Sequence, residues 1–295
     1  METQQVQDQW AKWLLETRFA GDPERKKAYE RFLIPVRDRV LEHAQPAEGD
    51  VLLDVGAGDG LIAFGALPLV GEQGKVIFSD VSQDLLDHSR TLAEQLGVLD
   101  RIEVLRASAD DLSALPDASV DVVTTRSVLI YVDRKREAFC EFFRVLKPGG
   151  RLSIFEPINR FHAPEPLGEY LGFDVSPIQG IAAKVRALYE RFQPLDTDPM
   201  LNFDERGLLA HAESAGFSKI RLDYEATIGP KKPMRWEYLL HSSGNPRIPT
   251  LEEAINQTLT TSEAEQFVAY LRPRLEAGEG IGRAAVAYLS AMKRQ

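Results

Sequence analysis

The sequence predicts an α/β fold: a mostly parallel sheet of seven strands with helices on both faces, preceded by N-terminal helices and interrupted by helical lid insertions. Three observations predict it. From residue 51 short aliphatic runs alternate with amphipathic stretches, and βαβ alternation places parallel strands beneath helices. The first run, "VLLDVGAGDG" (51–60), closes on three glycines at every second position. After "RLSIFEP" (151–157) the alternation breaks off into long segments of another texture.

The elements follow in order. Residues 8 to 45 read as helices: "QWAKWLLETRFAG" sets Trp10, Trp13 and Leu14 on one face, and Asp22 before Pro23 is an N-cap with proline in the first turn. "VLLDV" is a strand and "GLIAFGALPLV" a helix. "KVIFSD" is the second strand, followed by a helix that Ser82 caps and Gly97 ends. "RIEVLRA" and "SVDVVTTRS" are the third and fourth strands. "DRKREAFCEFFRVL" is a helix stopped by "KPGG", and "RLSIFEP" is the fifth strand. The stretch 158–201, rich in proline and aromatics, reads as a helical insert. "NFDERGLLAHAESAGF" is a helix and "KIRLDYEATIG" the sixth strand. A second insert contains two helices, "LEEAINQTL" and "SEAEQFVAYLRPRL". "GRAAVAYLSAMK" is either a strand or a helix, and the strand is favoured because it closes the sheet.

The expected boundaries are an N-terminal helical cap (1–48), a core built from 49–157, 202–229 and 281–295, a lid insert (158–201) and a second helical insert (230–280).

Bulk properties narrow the function. The chain has 295 residues, 44% hydrophobic and 27% charged, which suits a globular protein with a full core. A net charge of −10 disfavours a nucleic-acid partner, which needs basic patches. One cysteine, Cys140, allows no intrachain disulfide and reads as a small buried helix residue. The five histidines show no ligand spacing, so no metal is expected. No apolar run approaches the roughly 20 residues that span a bilayer. The polar N-terminus lacks the order of a signal peptide, so a cytoplasmic protein is expected.

A glycine turn between strand and helix presents backbone N–H groups and a positive helix end. Without Cβ atoms the backbone is open to close approach by a ligand. The dinucleotide spacing G-x-G-x-x-G is not met: Gly60 comes one position early and Leu61 stands where the third glycine belongs. An ionised carboxylate at Asp80, ending the second strand, is acceptor-only and suits two ribose hydroxyls; its other reading is a helix cap, for which Ser82 is better placed.

Together "VLLDVGAGDG", "VIFSD", "DVVTTRSVLIYV" and "LKPGGRLSIFEP" resemble the class I S-adenosylmethionine-dependent methyltransferases of the small-molecule type. The resemblance covers residues 51–157 well and extends more loosely to 202–229 and 281–292. It implies a Rossmann-like sheet and S-adenosyl-L-methionine as cofactor. By resemblance Gly56, Ala57 and Gly58 pass against the methionine moiety. Asp54 orders the turn and the cofactor's amino end, or simply bonds nearby backbone N–H groups. Asp80 takes the ribose and Val81 packs on the adenine. Many relatives place an Asp after the third strand to accept from the adenine amino group. Here the run is Ala107-Ser108-Ala109-Asp110, so either Ser108 accepts that bond or Asp110 reaches in. Arg126 stands where relatives offer a backbone carbonyl to the cofactor, and its side chain can pair with an acid.

The acceptor is read by elimination. The place after the fourth strand reads "TRSV", without the Asp/Asn-Pro-Pro-aromatic run of amino-group methylation or the paired glutamates of arginine methylation. A small-molecule acceptor remains, methylated on O, N or C and partly apolar. A protein substrate, or a non-methylating protein that keeps the cofactor pocket, stays open. Tyr131 and the insert aromatics Phe161, Tyr170, Phe173, Tyr189 and Phe192 are candidate pocket walls, the alternative being that they form the insert's own core. Glu156 and His162 are candidate bases at the carboxyl edge of the sheet. Their alternatives are a salt bridge to Arg160 or Arg126 for Glu156 and a solvated loop for His162.

Overall fold

The computed structural model describes residues 8–295. Helix α1 (Gln9–Leu15) starts at Asp8, whose side chain accepts from the N–H groups of Trp10 and Ala11. Helix α2 (Pro23–Ala44) starts at Asp22 in the same way, with Pro23 in its first turn. The chain then alternates through β1 (Val51–Val55), α3 (Leu61–Val70), β2 (Lys75–Asp80), α4 (Gln83–Gln95), β3 (Ile102–Arg106), β4 (Val120–Arg126), α5 (Lys135–Val145) and β5 (Leu146–Pro157). Two short strands, β6 (Glu169–Tyr170) and β7 (Phe173–Asp174), pair as a hairpin before α6 (Gln179–Phe192). Helix α7 (Glu205–Ser214) and β8 (Ser218–Pro230) follow, then α8 (Trp236–His241), α9 (Leu251–Thr258), α10 (Thr261–Ala277) and β9 (Ile281–Met292).

The main sheet has seven strands in the order β3-β2-β1-β4-β5-β9-β8. The first five are mutually parallel, and β9 runs antiparallel to both β5 and β8. The end of the chain is therefore a strand. Strand order reverses between β1 and β4, and the crevice beyond the carboxyl ends of these strands is where α/β sheets bind ligands.

Alternation along the strands explains the two covered faces. Leu53, Val123 and Ile154 face α5 and α7 through Phe139, Phe142 and Leu208. Leu52, Val76, Phe78 and Val122 face α2 and α3 through Val40, Leu41, Ile62 and Ala66. Among the described residues no helix is long and apolar enough to cross a membrane.

Three expectations are corrected. The "KPGG" run does not stand outside the sheet: Leu146 pairs with Val120, and Gly149 and Gly150 exchange hydrogen bonds with Lys293. Cys140 is exposed, because α5 turns Ala138, Phe139, Phe142 and Val145 to the sheet and Cys140 away from it. The segment 158–201 is not purely helical, since it carries the β6–β7 hairpin, and its helix α6 packs against α9 and α10 rather than over the sheet edge. Ala182, Val185 and Leu188 bury against Leu251, Ala254 and Phe267, so the two inserts share a core of their own.

Candidate active site

The glycine turn after β1 is built from left-handed backbone: φ is +66° at Gly56 and +58° at Gly58. A Cβ on Gly56 would lie 2.3 Å from Val128 Cγ2, so the turn packs against the loop after β4 without room for a side chain. The Gly58 N–H donates to Asp80 Oδ2 at 2.9 Å, while Asp80 Oδ1 accepts the Ser82 N–H at 2.9 Å. Asp80 thereby ties the end of β2 to the turn. Burial pushes its carboxyl above the usual range. Ser82 caps α4 by accepting from the Leu85 N–H, and its hydroxyl donates to Asp8 at 2.7 Å, anchoring the start of α1 at the same corner.

A cleft of about 830 Å³ opens here. On one side lie Gly56, Gly58, Asp80, Val81, Ser108, Ala109, Asp110 and Arg126, eight of the ten residues expected to hold the cofactor. Ser108 donates to Asp110, which also accepts from Arg134 Nε at 2.8 Å. The remaining two stand behind the wall. Ala57 is buried, its N–H on the Ser79 carbonyl. Asp54 is buried and accepts from Thr124 Oγ1 at 2.9 Å and from the Ala63 N–H at 3.1 Å, which fastens α3 to the sheet. Burial pushes its pKa up to about 7. Asp54 thus ties β1 to β4 and to α3 and does not line the cleft.

The opposite wall is aromatic and comes from the N-terminal helices. Trp10 stands edge-on to Tyr131, with ring centroids 4.9 Å apart, and Trp13 lies 6.3 Å from the same ring. Trp13 is fixed by donating from Nε1 to the Ser243 carbonyl at 3.0 Å. Arg18, Tyr29 and Phe32 continue this wall. Tyr131 is the expected pocket residue that the cleft does contain, and burial pushes its phenol up to about 12, so it is a neutral hydroxyl at pH 7.

The other expected substrate residues lie elsewhere. Phe161 packs against the main core. Tyr170 is buried against Phe267, and Tyr189 donates to the Pro249 carbonyl at 3.3 Å; both border a second cavity of about 640 Å³ between the inserts. The shared core of the inserts claims these aromatics.

The two candidate bases are also displaced. Glu156 is fully buried and does not border the cleft. Its Oε1 accepts the N–H groups of Val128 and Leu129 at 2.9 Å each, and Oε2 accepts the Ile130 N–H at 3.3 Å. Neither of the expected salt bridges forms: Arg160 pairs with Asp196. Burial pushes the Glu156 pKa up to about 7. It shapes the loop that carries Tyr131 and is placed to hold backbone, not to reach an acceptor. His162 borders the second cavity, with its pKa lowered by burial.

Of the aromatics named from the sequence as pocket walls, only Tyr131 lines the cleft, where it is joined by Trp10 and Trp13. The sequence signal for these two cleft residues was the shared face of Trp10 and Trp13 in α1. Arg18, Tyr29 and Arg247 carried no signal of their own, because contacts between distant elements bring them to the cleft.

The glycine turn and the buried acceptor at Asp80 fit an adenosine cofactor: one leaves backbone open to close approach, and the other offers lone pairs beyond the two that the N–H groups occupy. Comparison with known proteins agrees. The family described as "Methyltransferase domain" matches residues 53–154. The chain is 30% identical over 185 residues to the ubiquinone/menaquinone biosynthesis C-methyltransferase UbiE of Cronobacter sakazakii, covering 58% of this chain and 68% of that protein. To UbiE of Salmonella paratyphi B it is 32% identical over 184 residues, covering 61% and 71%. Among solved structures, Haemonchus contortus phosphoethanolamine N-methyltransferase 2, solved with phosphomonomethylethanolamine and S-adenosylhomocysteine, superposes with a TM-score of 0.54 at 17% identity over 97% of this chain and 60% of that one, a likeness of fold. The chain belongs to the class I S-adenosylmethionine-dependent methyltransferases, as an enzyme whose methyl donor is S-adenosylmethionine.

Proposed function

We propose that the enzyme methylates O, N or C of a small, partly apolar metabolite held in the cleft. The observation that carries this reading is the pairing of walls: the glycine turn and Asp80 face Trp10, Trp13 and Tyr131 across one space of about 830 Å³. That volume lies in the range of small-ligand sites. The names of the UbiE relatives point to carbon methylation in quinone biosynthesis, and a flat aromatic wall suits a ring acceptor.

In this reading Gly56 and Gly58 lie against the methionine end of the donor, Asp80 accepts from its ribose, and Val81 and Ala109 flank the adenine, with Ser108 or Asp110 taking the adenine amino group. Arg126, at the end of β4, faces the donor's carboxylate. When bound, S-adenosylmethionine supplies an activated methyl on a sulfonium. The protein's own part is alignment. Among the described residues no His or Glu borders the cleft, and of its three acids Asp80 and Asp110 are already engaged while Asp133 is exposed at its edge. Orientation of the acceptor against the aromatic wall, with water excluded by α1, is what these residues offer. Formation of S-adenosylhomocysteine with a panel of small phenols, quinols, amines and acids tests the proposal. Turnover on at least one member supports it. Turnover only on protein substrates, or on none while the cofactor binds, overturns it.

A further inference from the structure

Among the described residues Arg18 is the one charged side chain that borders both cavities, the cofactor-facing cleft of about 830 Å³ and the second cavity of about 640 Å³. Its setting is built from three directions. The guanidinium carbon lies 4.8 Å from the Trp13 ring centroid and 4.5 Å from that of Tyr29. One nitrogen, Nη2, donates to the Tyr29 hydroxyl. The backbone carbonyl accepts from the Tyr238 hydroxyl at 3.3 Å. The plane of the guanidinium is therefore fixed, while among the described residues most of its N–H groups have no acceptor.

Among the described residues no acid pairs with Arg18, although the chain carries 45 Asp and Glu against 35 Lys and Arg. Arg134, at the far end of the cleft, is paired with Asp110. A fixed, half-buried, unpaired guanidinium in an acid-rich protein is set to receive an anion from a ligand. Its planar fork matches a carboxylate in bidentate geometry.

Two carboxylates are conceivable: one on the acceptor, or the one on the cofactor's methionine. Arg18 stands among the aromatic residues of the cleft and opens toward a second cavity that no residue of the turn or of β1 to β4 borders. Arg126 ends β4, the strand paired with β1, and serves the cofactor side. We propose that Arg18 binds a carboxylate carried by the acceptor, which is thus an aromatic or apolar carboxylic acid anchored at the junction of the two cavities. This rests on the reading that the cleft takes the acceptor.

The test is calorimetry on the full chain saturated with S-adenosylhomocysteine, using 3-phenylpropionate and 3-phenylpropionamide as probes. The acid is expected to bind at least about tenfold tighter than the amide, as a charge-assisted pair requires. Arg18→Met abolishes that preference and Arg18→Lys keeps part of it, while S-adenosylhomocysteine affinity changes less than about threefold. Unchanged binding of 5′-methylthioadenosine, which lacks the amino-acid end, reports that each variant is folded. Should Arg18→Met fail to fold, the acid-to-amide ratio of the unaltered protein and of Arg18→Lys still decides. Equal binding of acid and amide overturns the inference and leaves the small-acceptor reading standing. Binding of neither probe overturns both. Loss of S-adenosylhomocysteine affinity in Arg18→Met, with 5′-methylthioadenosine unaffected, assigns the carboxylate to the cofactor and overturns the inference. So does a preference lost in Arg247→Met and kept in Arg18→Met.

Discussion

Glu156 holds Leu129 from beneath: its Oε1 accepts that residue's N–H at 2.9 Å in a fully buried setting. The same carboxylate takes the neighbouring N–H groups of Val128 and Ile130, so one side chain fixes the loop that abuts Gly56 and presents Tyr131. Glu156→Gln leaves one acceptor oxygen and turns an amide NH₂ toward backbone donors. Chemical denaturation should show a loss of about 1–3 kcal/mol, the cost of leaving buried groups unpaired. Unchanged stability would show that the loop is held by packing alone.

Asp54 makes stability depend on pH in a definite direction. Its folded pKa, about 7, lies above its ordinary 3.8 because of burial. Below 3.8 the carboxyl is neutral in both states. As pH rises from there the unfolded chain ionises first, the folded chain holds its proton, and the advantage is lost until pH passes about 7. Asp54→Asn does not titrate. The stability of the unaltered protein relative to Asp54→Asn should therefore decline by about 1–3 kcal/mol between pH 4 and 7 and then level off. A difference that grows with pH over that range would show a depressed pKa instead.

Gly58 and Asp80, joined by a hydrogen bond, are both proposed to hold the cofactor. Gly58→Val places a β-branched side chain at φ +58°, with its Cβ 3.2 Å from Leu14 Cδ2, on a wall of the cleft. S-adenosylhomocysteine affinity should drop more than about a hundredfold by calorimetry, because the side chain takes the ligand's space. Affinity within tenfold of normal would place the ligand away from the turn.

Asp80→Ala removes the proposed ribose acceptor and frees the Gly58 N–H. The expected loss in S-adenosylhomocysteine affinity is about 1.5–3 kcal/mol, typical of hydrogen bonds to a charged group. An unaltered Kd would mean that the ribose is held by other groups.

The N-terminal wall should respond to ligand where α6 does not. Trp10, Trp13 and Leu14 of α1 border the cleft, whereas α6 packs within the shared core of the inserts. Hydrogen exchange with and without S-adenosylhomocysteine should show new protection in α1 and the glycine turn and little change in α6. Protection confined to α6 would return the covering role to the 158–201 segment.

Local pattern determined much of this protein. Runs such as "VLLDV" and "KVIFSD", separated by amphipathic stretches, encode parallel strands because side-chain period and burial are local properties. The glycine turn and Asp80 were legible for the same reason: a left-handed turn needs Gly at fixed positions, and the strand end determines where the carboxylate stands. Tertiary structure alone decided which aromatics line the cleft. Tyr170, Phe173, Trp10 and Trp13 look alike in the sequence, but the first two find partners in α9 and α10, while Asp8, bonded to Ser82, swings α1 across the sheet edge. Glu156 was misread for the same cause. Its position at the end of β5 is local, yet whether it faces a cleft or three backbone N–H groups depends on how the chain after β4 folds back over it. Periodicity records the face on which a residue lies, and only packing between distant segments determines what covers that face.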